Sequence, residues 1–284
     1  MIKHIFSDID GVITGGILNR NFPFPSSSVS SAIKSIKESG VGITLCTAKP
    51  LFSTKKILSN LDLPGMHIAD GGAVIADLNG KILDIQSIDS NIVKELSNKC
   101  FGKKKYICLY SKDNYFFDKK QSFEITQKAQ YDHQQSAVLV DDLALVSKKE
   151  DIVKIIVAFE KVDNTEEILN HFKSLSSDIN YEASTHPILP NTLFVIITKK
   201  SVSKRTACEK VANYYGVSFS ESLGIGDSLG DWSFIELCDY RATLQNGQKE
   251  LKDLVLSDKD KNNFIGGDVD QDGIINIFNN FKLI

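Results

Sequence analysis

The chain has 284 residues, of which 42% are hydrophobic, 24% charged and 9% aromatic, a balance that excludes a disordered chain and suits a soluble globular one. Lys and Arg number 33 against 36 Asp and Glu, so the net charge of −3 gives no electrostatic case for nucleic acid as the main partner. No run approaches the ~18 apolar residues of a membrane-spanning helix.

Ile2 to Phe6 predicts a short strand that ends at acidic residues. Apolar Val29, Ile33 and Ile36 recur at helical spacing over 28–39, with Ser27 or Ser28 as the cap and Gly40 as the stop. The nearly unbroken apolar run 41–46 reads as a strand buried on both faces. Pro50 then opens a second helix carrying Leu51, Leu58 and Leu61. Strand, helix, strand, helix is the order of a parallel sheet covered by helices, whose functional loops lie at the carboxyl ends of the strands.

Beyond residue 73 the rhythm changes. Asn79-Gly80 predicts a hairpin between 73–76 and 81–85, followed by a helix over 90–100. Strands are expected at 106–110, 115–117, 154–159 and 193–198, with a helix over 165–175. The first rhythm returns at Ser203: a helix ending at Gly216, a strand at 222–225, and a short helix at 234–238. The expected fold class is therefore α/β: a Rossmann-like core of residues 1–83 and 191–284, with an α+β domain of residues 84–190 inserted in its middle.

The chemistry concentrates at Asp8-Ile9-Asp10-Gly11. In extended backbone, residues i and i+2 point the same way, so two carboxylates share one space at a strand end while Gly11 allows a sharp turn. Such a pair is tolerable with a divalent cation between the groups or a proton on one, and it can divide labour between nucleophile and acid/base. Gly226-Asp227-Ser228-Leu229-Gly230-Asp231 repeats the arrangement after another apolar strand, so Asp227 could complete an oxygen-rich site suited to Mg²⁺. The second buried strand ends at Thr47, whose hydroxyl and backbone N–H could hold a phosphate oxygen, and Lys204 offers a positive charge.

In that order, DIDG, Thr47, Lys204 and GDSLGD resemble the four motifs of the haloacid dehalogenase superfamily, over nearly the whole chain. The position of the insert, Asp70-Gly71-Gly72-Ala73 and Gln245-Asn246-Gly247 are similar to the Cof-type branch with a large α/β cap. The resemblance implies a phosphatase of small phosphorylated metabolites, with sugar phosphates foremost. It gives Asp8 the role of nucleophile, Asp10 that of acid/base, Thr47 that of phosphoryl ligand and Lys204 that of charge neutraliser. Gly11, Ala48, Lys49 and Asn246 would also line the substrate or phosphate site. Mg²⁺ would be held by Asp8, the backbone carbonyl of Asp10, Asp227 and, directly or through water, Asp231. The cap would close over the substrate and select the leaving group.

Three positions depart from the branch. Thr47-Ala48-Lys49 stands where T-G-R is usual, Gly230 where Asn is typical, and Val12 where Thr follows DxDG. Lys49 keeps the charge but loses the planar fork that grips phosphate bidentately. A phosphomutase using the same aspartates, and a non-catalytic ligand-binding protein, are the alternative readings.

Asp268-Val269-Asp270-Gln271-Asp272-Gly273 matches the start of a calcium loop, but Asn279 stands where the bidentate Glu belongs, so a solvated loop capping the terminal helix is expected. The triplet Lys103-Lys104-Lys105 reads as a solvated turn, and His186 before Pro187 as a linker. The five scattered cysteines lack a CxxC pair, and MIKHIFSDIDG lacks the apolar stretch of a secretory signal; a cytoplasmic protein without disulfides is expected.

Overall fold

The buried run His4–Ser7 forms β1, whose residues pair in parallel on both sides. Ser7, its last residue, lies opposite Leu45 of β2 (Gly42–Leu45) and opposite Ile225 of β12 (Ser222–Ile225). In this computed structural model all residues are described except 101–104, 122–126, 128, 132, 161–165, 167–169, 171, 173–175 and 187–188. The core sheet has the order β14 (Asn262–Gly266), β13 (Tyr240–Leu244), β12, β1, β2, and every pairing in it is parallel. All five carboxyl ends therefore share one edge, where ligand loops gather in open α/β sheets.

Period-two alternation sends the sheet's side chains to two cores. Ile5 and Leu45 join Val29, Ile33 and Ile36 of α1 (Ser27–Glu38) and Leu58 of α2 (Leu51–Leu61). Phe6 and Cys46 instead meet Ala207, Cys208 and Val211 on the opposite side. The remaining described helices are α3 (Ser90–Cys100), α4 (Lys204–Tyr215), α5 (Leu229–Ile235), α6 (Lys249–Ser257) and α7 (Ile274–Asn280). Ser26 caps α1, accepting from the Val29 N–H, one residue earlier than expected. Helix α5 starts at 229 rather than at the expected 234, because Ser228 and Asp231 form a capping box ahead of the apolar residues. Strands β3 (His67–Ala69), β4 (Val74–Ala76) and β5 (Ile82–Ile85) make a small sheet, with Gly80 at φ 90° in the expected turn.

The chain divides into two compact units. One comprises 1–49, 54–83 and 203–284; the other comprises 50–53 and 84–202. The second unit contains a six-stranded sheet in the order β10 (Ile179–His186), β11 (Leu189–Lys199), β9 (Lys154–Glu160), β6 (Lys105–Tyr110), β7 (Tyr115–Asp118), β8 (Val138–Val140). Val93 and Leu96 of α3 pack on it with Ile107, Ile155, Val157 and Val195. This unit runs to Val202, past the expected boundary at 190, because β11 is one long strand held between β10 and β9. The helix expected over 165–175 lies mostly outside the described residues, as do Lys103, Lys104 and Pro187; His186 ends β10.

Two buried histidines fasten the sheet. Leu45 N–H donates to His67 Nδ1 at 3.0 Å, so that nitrogen carries no proton. The Thr44 hydroxyl donates to Met66 O and lies 2.9 Å from His4 Nε2, which makes His4 the donor in that pair. Gly42 gives the His4 ring its room, since a Cβ there would lie 2.4 Å from Nδ1. Burial lowers both imidazoles to a pKa of about 4. The unfolded chain takes up these protons near pH 6.5 and the folded one does not, so stability falls as pH drops through the window from 6.5 to 4. The loss is roughly 3 kcal/mol per histidine. Imidazole NMR titration is expected to show both rings neutral down to about pH 4; titration near 6.5 would overturn the assignment.

Candidate active site

One residue beyond β1, Asp8 lies at the carboxyl edge of the sheet, and Asp227 lies at the same edge two residues beyond β12. Lys204, the first residue of α4, reaches both Asp8 and Asp231: its Nζ lies 3.1 Å from Asp8 Oδ1 and 2.6 Å from Asp231 Oδ1. Ser203 caps this helix and accepts from the Thr206 N–H. Gly72 lets α4 start where it does, because a Cβ there would fall 2.4 Å from Ser203 O. Asp231 is fully buried, and its second oxygen accepts from Asp227 N, Ser228 N and Ser228 Oγ at 3.1, 3.0 and 2.9 Å. Asp231 is thus the group that fixes both the 226–228 loop and the Lys204 ammonium. Gly226 is required for this closeness, as a Cβ would sit 2.3 Å from the Cβ of Asp231.

Carboxylate oxygens of Asp8, Asp227 and Asp231 lie within 4.8 Å of one another. Burial, then the charge of Asp231, raises Asp8 well above the usual carboxylate range, against the opposing pull of Lys204. The same two causes push Asp227 up to about 7. Burial acts to lower Lys204, but Asp231 and Asp8 outweigh it and hold the ammonium charged. Asp8 Oδ1 is buried and accepts no hydrogen bond, although Lys204 faces it. An under-satisfied oxygen among three hard carboxylates fits a divalent cation such as Mg²⁺.

Asp10 points elsewhere. Its Oδ1 pairs with Lys49 Nζ at 3.0 Å and accepts weakly from Thr14 Oγ1 at 3.4 Å. Its side chain is 52% exposed, so a proton or a water can reach it. Thr47 is buried beside this pair, and its hydroxyl oxygen accepts from Lys49 N at 3.0 Å, leaving the hydroxyl proton for a ligand. Its backbone N–H donates to Ile68 O and is not the phosphate donor expected from sequence. Ala48 is exposed between Thr47 and Lys49.

Two residues expected at the substrate have other tasks. Gly11 N donates to Thr14 O, Gly11 O accepts from Asn246 Nδ2 at 2.9 Å, and both main-chain groups are engaged. The turn at φ 72° needs glycine twice over, for a Cβ would meet Asp227 Oδ2 at 2.1 Å. Asn246 spends its other end accepting from Val269 N at 2.9 Å. The sequence reading marked Gly72 only as part of a family-like segment and gave no role to Thr14 or Ser228, of which Ser228 carried a usable signal, three residues before Asp231 in a capping pattern.

The description of the haloacid dehalogenase-like hydrolases matches residues 5–278. The chain is 26% identical to the 5-amino-6-(5-phospho-D-ribitylamino)uracil phosphatase YwtE of Bacillus subtilis, over 96% of each chain. It is 22% identical to a phosphoglycolate phosphatase of Staphylothermus marinus, over 89% of each. A haloacid dehalogenase-like hydrolase from Bacteroides thetaiotaomicron shares the fold with a TM-score of 0.82 at 18% identity, covering 99% of this chain and 100% of the other. The subclass IIB sugar phosphatase BT4131 gives a TM-score of 0.78 at 19% identity, with 99% and 100% covered.

Proposed function

The chain belongs to the haloacid dehalogenase-like hydrolases and is a phosphatase of that superfamily; on that premise we propose that it is Mg²⁺-dependent and hydrolyses a small phosphorylated metabolite, a sugar phosphate, through an aspartyl phosphate. The observation that carries the reading is the buried Asp8 carboxylate with Lys204 on one side and Asp227 and Asp231 around it. An Asp8 oxygen attacks phosphorus, the P–O bond to the leaving group breaks, and Asp10 delivers the proton that oxygen needs. Water then attacks the phosphorus of the acyl phosphate while Asp10 takes up its proton, and the P–O bond to Asp8 breaks to release phosphate and restore the carboxylate. Asp10 suits this double duty because it is solvent-accessible while Asp8 is not.

Phosphoryl transfer is chiefly positioning and charge neutralisation, and the residues supply both. Thr47 donates its hydroxyl proton to a phosphoryl oxygen, and Lys204 balances charge between that oxygen and Asp8. Asp8, the Asp10 carbonyl and Asp227 would hold Mg²⁺, with Asp231 behind them; when bound, the ion neutralises charge on the phosphoryl oxygens. The expected substrate partner is small, and the cytoplasm is the expected compartment.

The test is phosphate release from a panel of sugar phosphates and other phosphometabolites, with Mg²⁺ and with EDTA. Release that requires Mg²⁺ and favours sugar phosphates supports the reading. Release insensitive to EDTA would remove the metal, and a preference for non-sugar substrates would remove the substrate class. A wild-type protein that binds Mg²⁺ yet releases nothing would favour a phosphomutase or a non-catalytic binding protein.

A further inference from the structure

The acidic loop 268–272 answers to no part of the proposed chemistry, yet its carboxylates are not idle. Asp270 Oδ1 accepts from Gly16 N at 3.1 Å and from Asn21 Nδ2 at 2.8 Å. Asn21 is itself buried, and its Oδ1 accepts from Ile17 N at 2.9 Å. Two residues on, Asp272 Oδ1 accepts from Ser26 Oγ at 2.8 Å, which anchors the cap of α1. Asp268 Oδ1 accepts from Asp270 N and so shapes its own loop. The contact is close at Gly15: a Cβ there would lie 2.1 Å from Asn21 Nδ2 and 2.2 Å from Asp270 Oδ1, so a larger residue would have to displace both side chains.

The carboxylates of Asp270 and Asp272 therefore grip segment 15–26, which is separated from Asp10 only by the turn 11–14. A second tie acts ahead of that segment, at Gly11. Asn246 accepts from Val269 N, in the acidic loop, and donates to Gly11 O, next to Asp10. The sequence pattern that suggested a calcium loop is instead spent on protein donors, and the loop expected to be solvated is a clasp.

We propose that Asp270, with Asn21 and Asn246, is a positioning device for the proposed reaction: the 268–272 loop holds the segment after Asp10 so that the acid/base and the Gly11 turn keep their places. The claim rests on the role proposed for Asp10, but its structural half stands independently. Misplacing a reacting group by about 1 Å can cost on the order of 100-fold in rate. Asp270→Ala should therefore lower kcat by about 10- to 100-fold with KM changed by less than about twofold. Asp270→Asn keeps an acceptor oxygen at the same place and should recover most of the loss.

Hydrogen exchange on the full chain reads the clasp without any substrate. Asp270→Ala should lose protection at Gly16 and Ile17 while strands β1 and β12 remain protected. If Asp270→Ala proves unfolded, Asn21→Asp replaces it: a second carboxylate then faces Asp270 and should open the same amides. Unchanged exchange in the folded variant would overturn the clasp, and lost protection with unchanged kcat would overturn its role in positioning. A melting temperature raised by Ca²⁺ in the wild type and not in Asp270→Ala would also overturn it, returning the loop to a metal site. If the wild type releases no phosphate from any substrate, the proposed function fails, while the exchange result still decides the clasp.

Discussion

Asp8→Asn is expected to reduce phosphate release by about 10,000-fold or more, as removal of a covalent nucleophile does elsewhere, without destabilising the metal-free protein. The amide has the shape of the carboxylate but cannot form an acyl phosphate. The stability half follows from the electrostatics. Asp8 is buried beside Asp231, with Asp10 and Asp227 near, and these together hold its pKa well above the usual range despite Lys204. A charge held under that strain opposes folding at neutral pH in the absence of metal. Asparagine removes it, and Lys204 keeps its shorter contact with Asp231 at 2.6 Å. In EDTA, the variant should melt at or above the wild-type temperature. A drop of several degrees would show that the Asp8–Lys204 attraction outweighs burial and repulsion. Residual activity within tenfold of wild type would remove Asp8 as nucleophile.

Much of this site was legible because its signals are local. A buried strand followed by Asp-x-Asp-Gly needs only four neighbouring residues to announce itself, and the same holds for 222–231. What stayed hidden depends on partners far along the chain. That the Thr47 N–H is taken by Ile68 O, or that Asn246 bridges Gly11 and Val269, follows only once parallel strands are in register. The ties made by the calcium-like loop stayed hidden for the same reason: Asp270 and Asn21 are 249 positions apart. Local rules also competed with each other. In 228–238 the apolar Phe234, Ile235 and Leu237 outweighed the capping pair Ser228 and Asp231, which set the true helix start.

Lys204→Met is the counterpart of Asp8→Asn, with the opposite effect on stability. Methionine preserves length and apolar volume but leaves Asp231 fully buried without its cation. Breaking a buried ion pair from one side costs about 3–5 kcal/mol, because the remaining charge keeps its burial penalty. At roughly 2–4 °C per kcal/mol for chains of this order of size, the melting temperature should fall by about 10 °C. Asp231 retains its three donors from Asp227 and Ser228, so the fold should survive below that temperature. Activity should fall by about 1,000-fold, the scale of losing one preorganised charge from a phosphoryl-transfer site. Combining the two substitutions separates the terms. With Asn at position 8, Lys204 has one acid fewer to balance, so Lys204→Met should cost measurably less stability there than in the wild type. Equal costs in both backgrounds would mean that Lys204 serves Asp231 alone and that its 3.1 Å approach to Asp8 carries no energy. A wild-type melting temperature for Lys204→Met, measured in EDTA, would mean that the three donors from Asp227 and Ser228 suffice for Asp231, and the ammonium would then matter only to the reaction.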